Sequence, residues 1–163
     1  MVSIELLRRF PFFGFLTSQQ YNAVATISHE IDFEKDATIL EHDQPAEALY
    51  LVLEGSAGLY YVVTSKNNPD YYAKYYISDF DPGEIFGISA LVEPYIYTGT
   101  IKASTICRVL KIDAASLRAL CDVDPKLAFG MMREVARSAM QRLEDTRALL
   151  VSARKSTATA QPI

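Results

Sequence analysis

The 163-residue chain is half hydrophobic and carries a formal charge of -4, with a pI near 5.2. That length and apolar content suit one domain with one core, and the acidic balance leaves no electrostatic reason to bind DNA, RNA or an anionic membrane. The apolar start MVSIELLRRFPFFGFL is too short to span a bilayer, lacks a small-residue cleavage site and is cut by Pro11 and Gly14, so a cytoplasmic setting is expected.

The predicted elements run helix, strands, long helix. A short helix is expected at Ser3 to Phe10, and a second opens at Thr17, where Thr17 and Gln20 make a capping box. From Ile27 the apolar period changes to two, as Ile27, His29, Ile31 and Phe33 alternate with polar residues, and a barrel is expected over 27–113. Further strands are predicted at Ala37 to Leu40, Ala48 to Glu54, Gly58 to Thr64, Tyr71 to Phe80, Gly99 to Ile106 and Arg108 to Ile112. Turn chemistry such as Glu54-Gly55 and Asn67 to Asp70 separates them. Many short strands at close spacing predict a mainly β sandwich or barrel with flanking helices.

Asp113 is placed to cap a short helix through Leu120, and Asp124 followed by Pro125 opens a long helix over 125–151. Met132, Ala136, Ala139, Leu143, Thr146 and Leu150 recur at alternating spacings of four and three. This seam either packs on the barrel or pairs with the same helix of a second chain, and a homodimer is the preferred reading. The domain is drawn at 1–151 and the tail at 152–163 is expected to be disordered, having little to bury. Cys107 and Cys121 are expected to be free thiols.

Several stretches then carry a family likeness. Pro45 to Gly55, Asp81 to Gly87, Ala90-Leu91, Thr100 to Thr105 and Val109 to Asp113 together resemble the cyclic nucleotide-binding domain family, that of the catabolite activator protein and the regulatory subunits of protein kinase A. The resemblance covers about Leu6 to Leu150. It implies a double-stranded β-helix, or jelly-roll, of eight strands followed by a long C-terminal helix that answers the ligand. It also implies a phosphate cradle at Gly87, Ile88, Ser89 and Ala90 with Tyr97, Thr98 and Gly99. A cyclic phosphodiester in an enclosed site needs backbone N–H groups and a guanidinium that matches its oxygens.

Here the main-chain scaffold is kept and the charged grip is not. Ile88 stands where the family's ribose glutamate would be, and Tyr97 where its phosphate arginine would be. Losing the first contact costs about 1.5–3 kcal/mol and losing the second about 2–5 kcal/mol. At about 1.4 kcal/mol per tenfold, the sum is a loss of at least several hundredfold. Lys102 is the nearest cation in sequence, and strand alternation does not settle which way it faces. Two alternatives stay open: Ile88, Tyr95, Ile96 and Tyr97 fill the pocket, or they shape it for a flatter, less charged ligand. Asp36 and His42 stand in turns where the family often has glycine, aspartate being the more at ease in a left-handed conformation.

The tyrosines of two adjacent strands, Tyr60, Tyr61, Tyr71, Tyr72, Tyr75 and Tyr76, are read as cross-strand pairs, with a partner-binding patch as the alternative. No catalytic or metal-binding set is expected, since His29 and His42 lack ligand-pair spacing and no nucleophile or phosphate-loop motif occurs. The expected function is a stand-alone regulatory or sensor module that is not an enzyme and has no output domain. No obligate cofactor is expected; the ligand is a cyclic nucleotide or another small molecule, and the alternative is a closed-pocket interaction module.

Overall fold

Side chains at the helix starts meet their own backbones as the capping signals predict. In the computed structural model, which describes residues 1–158, helix α1 (Ile4–Arg8) begins behind Ser3, whose hydroxyl accepts from the Leu6 amide at 3.2 Å. A 3-10 turn at Pro11–Phe13 leads to α2 (Ser18–Thr26). The Gln20 amide donates to Thr17 Oγ1 at 3.3 Å, and the Thr17 amide donates to Gln20 Oε1 at 2.9 Å, completing the capping box. Gln20 Nε2 also donates to Asp124 Oδ2 at 2.8 Å, so one side chain ties the entry helix to the start of the exit helix.

Eight strands follow: β1 (Ser28–Phe33), β2 (Thr38–Leu40), β3 (Ala48–Glu54), β4 (Ala57–Thr64), β5 (Tyr72–Phe80), β6 (Ile85–Phe86), β7 (Thr100–Ala103) and β8 (Cys107–Asp113). They form two antiparallel four-stranded sheets, ordered β1-β8-β3-β6 and β2-β7-β4-β5. Strand β3 is covered on both faces, which is why its ALYLVL reads as an unbroken apolar run and is buried throughout. Leu49, Leu51, Val52, Leu110 and Ile112 have no exposed surface and make the centre of the core. Each such side chain contributes about 1.5–3 kcal/mol by leaving water.

The exit helices are α3 (Ala114–Val123) and α4 (Pro125–Ala158). Asp113 accepts from the Ser116 amide at 2.8 Å, and Asp124 accepts from the Leu127 amide at 3.1 Å. Hydrogen bonding holds both carboxyls below the usual carboxylate range, through Ser116 at Asp113 and chiefly through Gln20 at Asp124.

Several boundaries differ from the sequence reading for local reasons. Strand β1 starts at Ser28 because Ile27 completes the end of α2, with Ser28 Oγ donating to the Val24 carbonyl at 2.6 Å. The predicted Gly99 to Ile106 strand shortens to β7, and the unpredicted β6 has only two residues, held by long-range pairing with Tyr50 and Leu51. Helix α3 runs three residues past Leu120, to Val123. Helix α4 continues to Ala158 where a tail was expected from 152, since nothing in SARKSTA breaks a helix; 159–163 lie outside the described residues. Asp36 is left-handed at φ 70, but its counterpart in the next turn is Asp43 at φ 61, not His42.

Candidate functional site

The segment between β6 and β7 forms a shallow cradle against the open side of the barrel. Gly87 adopts φ 72, and a Cβ there would stand 3.1 Å from the Ala48 carbonyl oxygen and 3.3 Å from the Tyr97 ring, so both backbone angle and space require glycine. It opens a 3-10 turn at Ile88–Leu91, with the Ala90 amide donating to the Gly87 carbonyl at 3.0 Å. The return strand is stitched to the loop before β3: Tyr97 N–H donates to the Gln44 carbonyl at 3.0 Å, and its carbonyl accepts from Asp43 N–H at 2.8 Å.

Tyr97 is turned into the barrel and is 6% exposed. Its hydroxyl donates to the Ala48 carbonyl at 2.7 Å and accepts from the Ala48 amide at 3.2 Å, so one phenol satisfies both main-chain groups at the start of β3. Burial raises its pKa above the usual phenol value. Burial also pushes the Tyr50 phenol up to about 12, with Tyr97 and Glu47 adding to the effect.

Beside Tyr97 lies a cavity of about 270 Å³. Gly87, Ile88, Ser89, Tyr97, Thr98 and Gly99 line it together; Ala90 does not, being buried beneath with its carbonyl accepting from Arg118 Nη1 at 2.7 Å. Arg118 in turn lies over the Tyr95 ring at 4.2 Å, which draws Tyr95 away from the cavity wall. Ile101 faces the cavity and Lys102, its neighbour on β7, is not among the lining residues, as strand alternation requires. Tyr97 therefore narrows the space without filling it.

The far wall comes from α4. Leu127, Met131 and Val135 bury the helix face that meets the barrel, and Gly130 gives room to the Phe15 ring. That face continues to Ser138 and Arg142, which line the cavity with Ala139. Arg142 is the cation that the sequence reading passed over, although its spacing from Met131, Val135 and Ser138 marks it as belonging to the barrel-facing stripe. Its Nη1 donates to Ser78 Oγ at 2.9 Å and the Asp79 carbonyl at 3.2 Å, and its Nη2 to Glu84 Oε1 at 3.1 Å. Asp145 Oδ2 is 3.3 Å from Nη1, and the guanidinium stands 4.3 Å from the centre of the Phe80 ring. Arg142 Nε is buried with no hydrogen-bond partner among the described residues. Arg142 also borders a second cavity of about 280 Å³, beside Pro11, Glu84 and Arg137.

Of the expected seam, Ala139 borders the cradle cavity and the other members are exposed. Met132, Ala136, Leu143, Thr146 and Leu150 are exposed, together with Phe129 and Met140. On the hairpin, Tyr61 faces Tyr75 in register and the Tyr60 and Tyr76 rings meet edge to face at 5.7 Å, so cross-strand pairing accounts for these four. His29 is exposed and His42 stands 3.4 Å from Asp43. Cys107 and Cys121 are free, and burial raises both thiols. No helix among the described residues is long and apolar enough to cross a membrane.

Against known proteins, a family model described as the cyclic nucleotide-binding domain matches residues 30–124. A solved structure from Geobacter metallireducens GS-15, of a protein named for cyclic nucleotide binding, is 34% identical and superposes with a TM-score of 0.76, covering 88% of this chain and 99% of that one. The regulatory subunit of a cAMP-independent protein kinase A from Trypanosoma brucei is 18% identical with a TM-score of 0.69, covering 90% of this chain and 50% of that one. A Rhodopseudomonas palustris protein named for a potassium channel is 24% identical over 128 residues, 78% of this chain. The chain spans 29% of that relative's length.

Proposed function

The chain belongs to the cyclic nucleotide-binding domain family, and from that premise we propose that it is a regulatory sensor module of altered ligand specificity, working in the cytoplasm. Its ligand sits between Gly87 to Ser89, Tyr97 to Gly99 and α4, and biases α4 by binding one of its positions more tightly than the other. The observation that carries this reading is the orientation of Tyr97. The side chain at the position of the family's phosphate arginine is engaged with the Ala48 backbone and offers no cation to a phosphate. Ile88 likewise presents an aliphatic wall where a ribose hydroxyl needs an acceptor.

The space left beside Tyr97 favours an altered ligand over a permanently closed pocket. The fold is also that of a kinase regulatory subunit that is cAMP-independent, so the architecture does not by itself name a ligand. Isothermal titration with cyclic AMP and cyclic GMP tests the reading: affinity weaker than micromolar for both is expected, and micromolar or tighter binding of either refutes it.

The exposed α4 seam supports a homodimer as the output state. A second chain would cover Met132, Leu143 and Leu150, which otherwise face water along one stripe. Sedimentation at high micromolar concentration should show a dimer that Leu143→Lys converts to monomer; a parent monomer refutes the pairing. The half-exposed tyrosines of β4 and β5, paired with each other across the hairpin, are also the surface we assign to a protein partner.

A further inference from the structure

We infer that the free edge of β5, from Tyr72 to Ile77, is a docking edge for an extended strand of a partner protein, one rich in β-branched or aromatic residues with a basic residue at each end. This rests on the tyrosine surface assigned above and adds the way a partner is recognised there; it is independent of the cradle ligand.

The outer strands of the two sheets are not alike. Strands β1, β6, β2 and β5 stand at the ends of the sheet orders. Strands β2 and β6 are three and two residues long, too short to template a partner, and β1 carries His29, Glu30 and Asp32, polar groups that discourage pairing. Strand β5 runs for nine residues without proline and, among the described residues, pairs with β4 alone. Its one basic side chain, Lys74, lies over the Tyr72 ring at 5.3 Å, folded along its own strand rather than guarding the edge. At the barrel end Arg142 takes the Asp79 carbonyl and Ser78 Oγ, so α4 closes the edge there. From Tyr72 to Ile77 the edge is open, and Tyr72, Tyr75 and Tyr76 are each about half exposed.

Unpaired main-chain donors and acceptors on such an edge accept another strand, and the side chains alongside give selectivity. The β4 side of β5 shows the chemistry that fits: Tyr61 faces Tyr75, Val62 faces Lys74 and Val63 faces Ala73, so aromatic and β-branched residues already meet this strand. Charge decides between a second copy and a different chain. The antiparallel register that matches the open stretch to itself sets Tyr72 opposite Ile77, and therefore Asp70 opposite Asp79 at both ends. Like charges so placed are destabilising. A strand that ends in lysine or arginine meets acids at both ends instead.

Three fluorescently labelled peptides, titrated against the full chain, test the assignment. They are Lys-Val-Thr-Val-Thr-Val-Thr-Val-Thr-Lys with blocked termini, its glutamate-ended counterpart, and the lysine-ended chain with ester oxygens in place of its valine and threonine N–H groups. The lysine-ended peptide is expected to bind at least about tenfold more tightly than the ester chain, which keeps the side chains and loses the main-chain donors. It should exceed the glutamate-ended peptide by about three- to tenfold at low salt, an advantage that Asp70→Lys, at an exposed loop residue, lessens. Hydrogen exchange should slow at alternate amides of Tyr72 to Ile77 and stay unchanged in β1. If the ester chain or the glutamate-ended peptide binds equally well, or protection falls on another strand, the edge assignment is overturned and the tyrosine surface stands. If the β5 amides of the parent are protected at high micromolar concentration and lose that protection on dilution, a second copy is the occupant and the assignment is likewise overturned. If none of the peptides binds, edge and surface both fall.

Discussion

Replacing Tyr97 with phenylalanine removes one oxygen atom and leaves the ring where it is. The hydroxyl lost donates to the Ala48 carbonyl at 2.7 Å and accepts from the Ala48 amide at 3.2 Å, in a setting only 6% exposed. No cavity opens, so the cost is that of two unmet main-chain groups, offset in part by strand relaxation; about 2 kcal/mol is the expected sum. For a chain of this size each 1 kcal/mol moves Tm by about 2–4 °C, giving a fall of about 4–8 °C. Thermal unfolding followed by circular dichroism, with Tyr75→Phe as an exposed control expected to be silent, measures it. A Tyr97→Phe variant within 1 °C of the parent would show that the phenol is not a structural lock, and the case against a phosphate site at this position would lose its support.

Other outcomes follow from the same geometry. The Tyr50 phenol is pushed up to about 12 by burial and Tyr97 is raised as well, while both titrate near 10 when unfolded. The folded state therefore holds its protons more tightly, so stability is full below about pH 10 and falls as pH rises towards 12; Tyr97→Phe should lessen that slope in urea titrations across the range. Gly55→Ala should cost more than about 2 kcal/mol, because Gly55 adopts φ 79 and a Cβ there would meet the Ile106 carbonyl oxygen. Its urea midpoint should drop with an unchanged slope, and an unchanged midpoint would refute the steric argument.

What could be read from the sequence was what local chemistry decides. Thr17 with Gln20, Asp113 before α3 and Asp124 before Pro125 announce helix starts because the capping partners lie within three residues. The alternating and unbroken apolar runs of β3 to β5 announce strands for the same reason, and the order of motifs carried the family likeness. Strand β6 stayed hidden because two residues have no period and depend on β3 for their pairing. The direction of Tyr97 could not be read either, since its partner is Ala48 on another strand. Arg142 was missed for a different reason. Helix α4 offers two stripes, Leu127, Met131, Val135 and Arg142 against Met132, Ala136, Leu143 and Leu150, and periodicity alone does not say which one the barrel takes. The presence of Phe15 against Gly130 and of Ser78 and Glu84 around Arg142 decides it, and those are tertiary facts.

The central claim is that the chain keeps the cradle of its family and lacks the charged grip. Titrating cyclic AMP into the double variant Ile88→Glu with Tyr97→Arg, beside the parent, tests it most directly. The account predicts weaker than micromolar affinity for the parent and a gain of at least about a hundredfold in the variant, as restoring two charged contacts should give. Micromolar binding by the parent, or equal affinity in a folded variant, would contradict it.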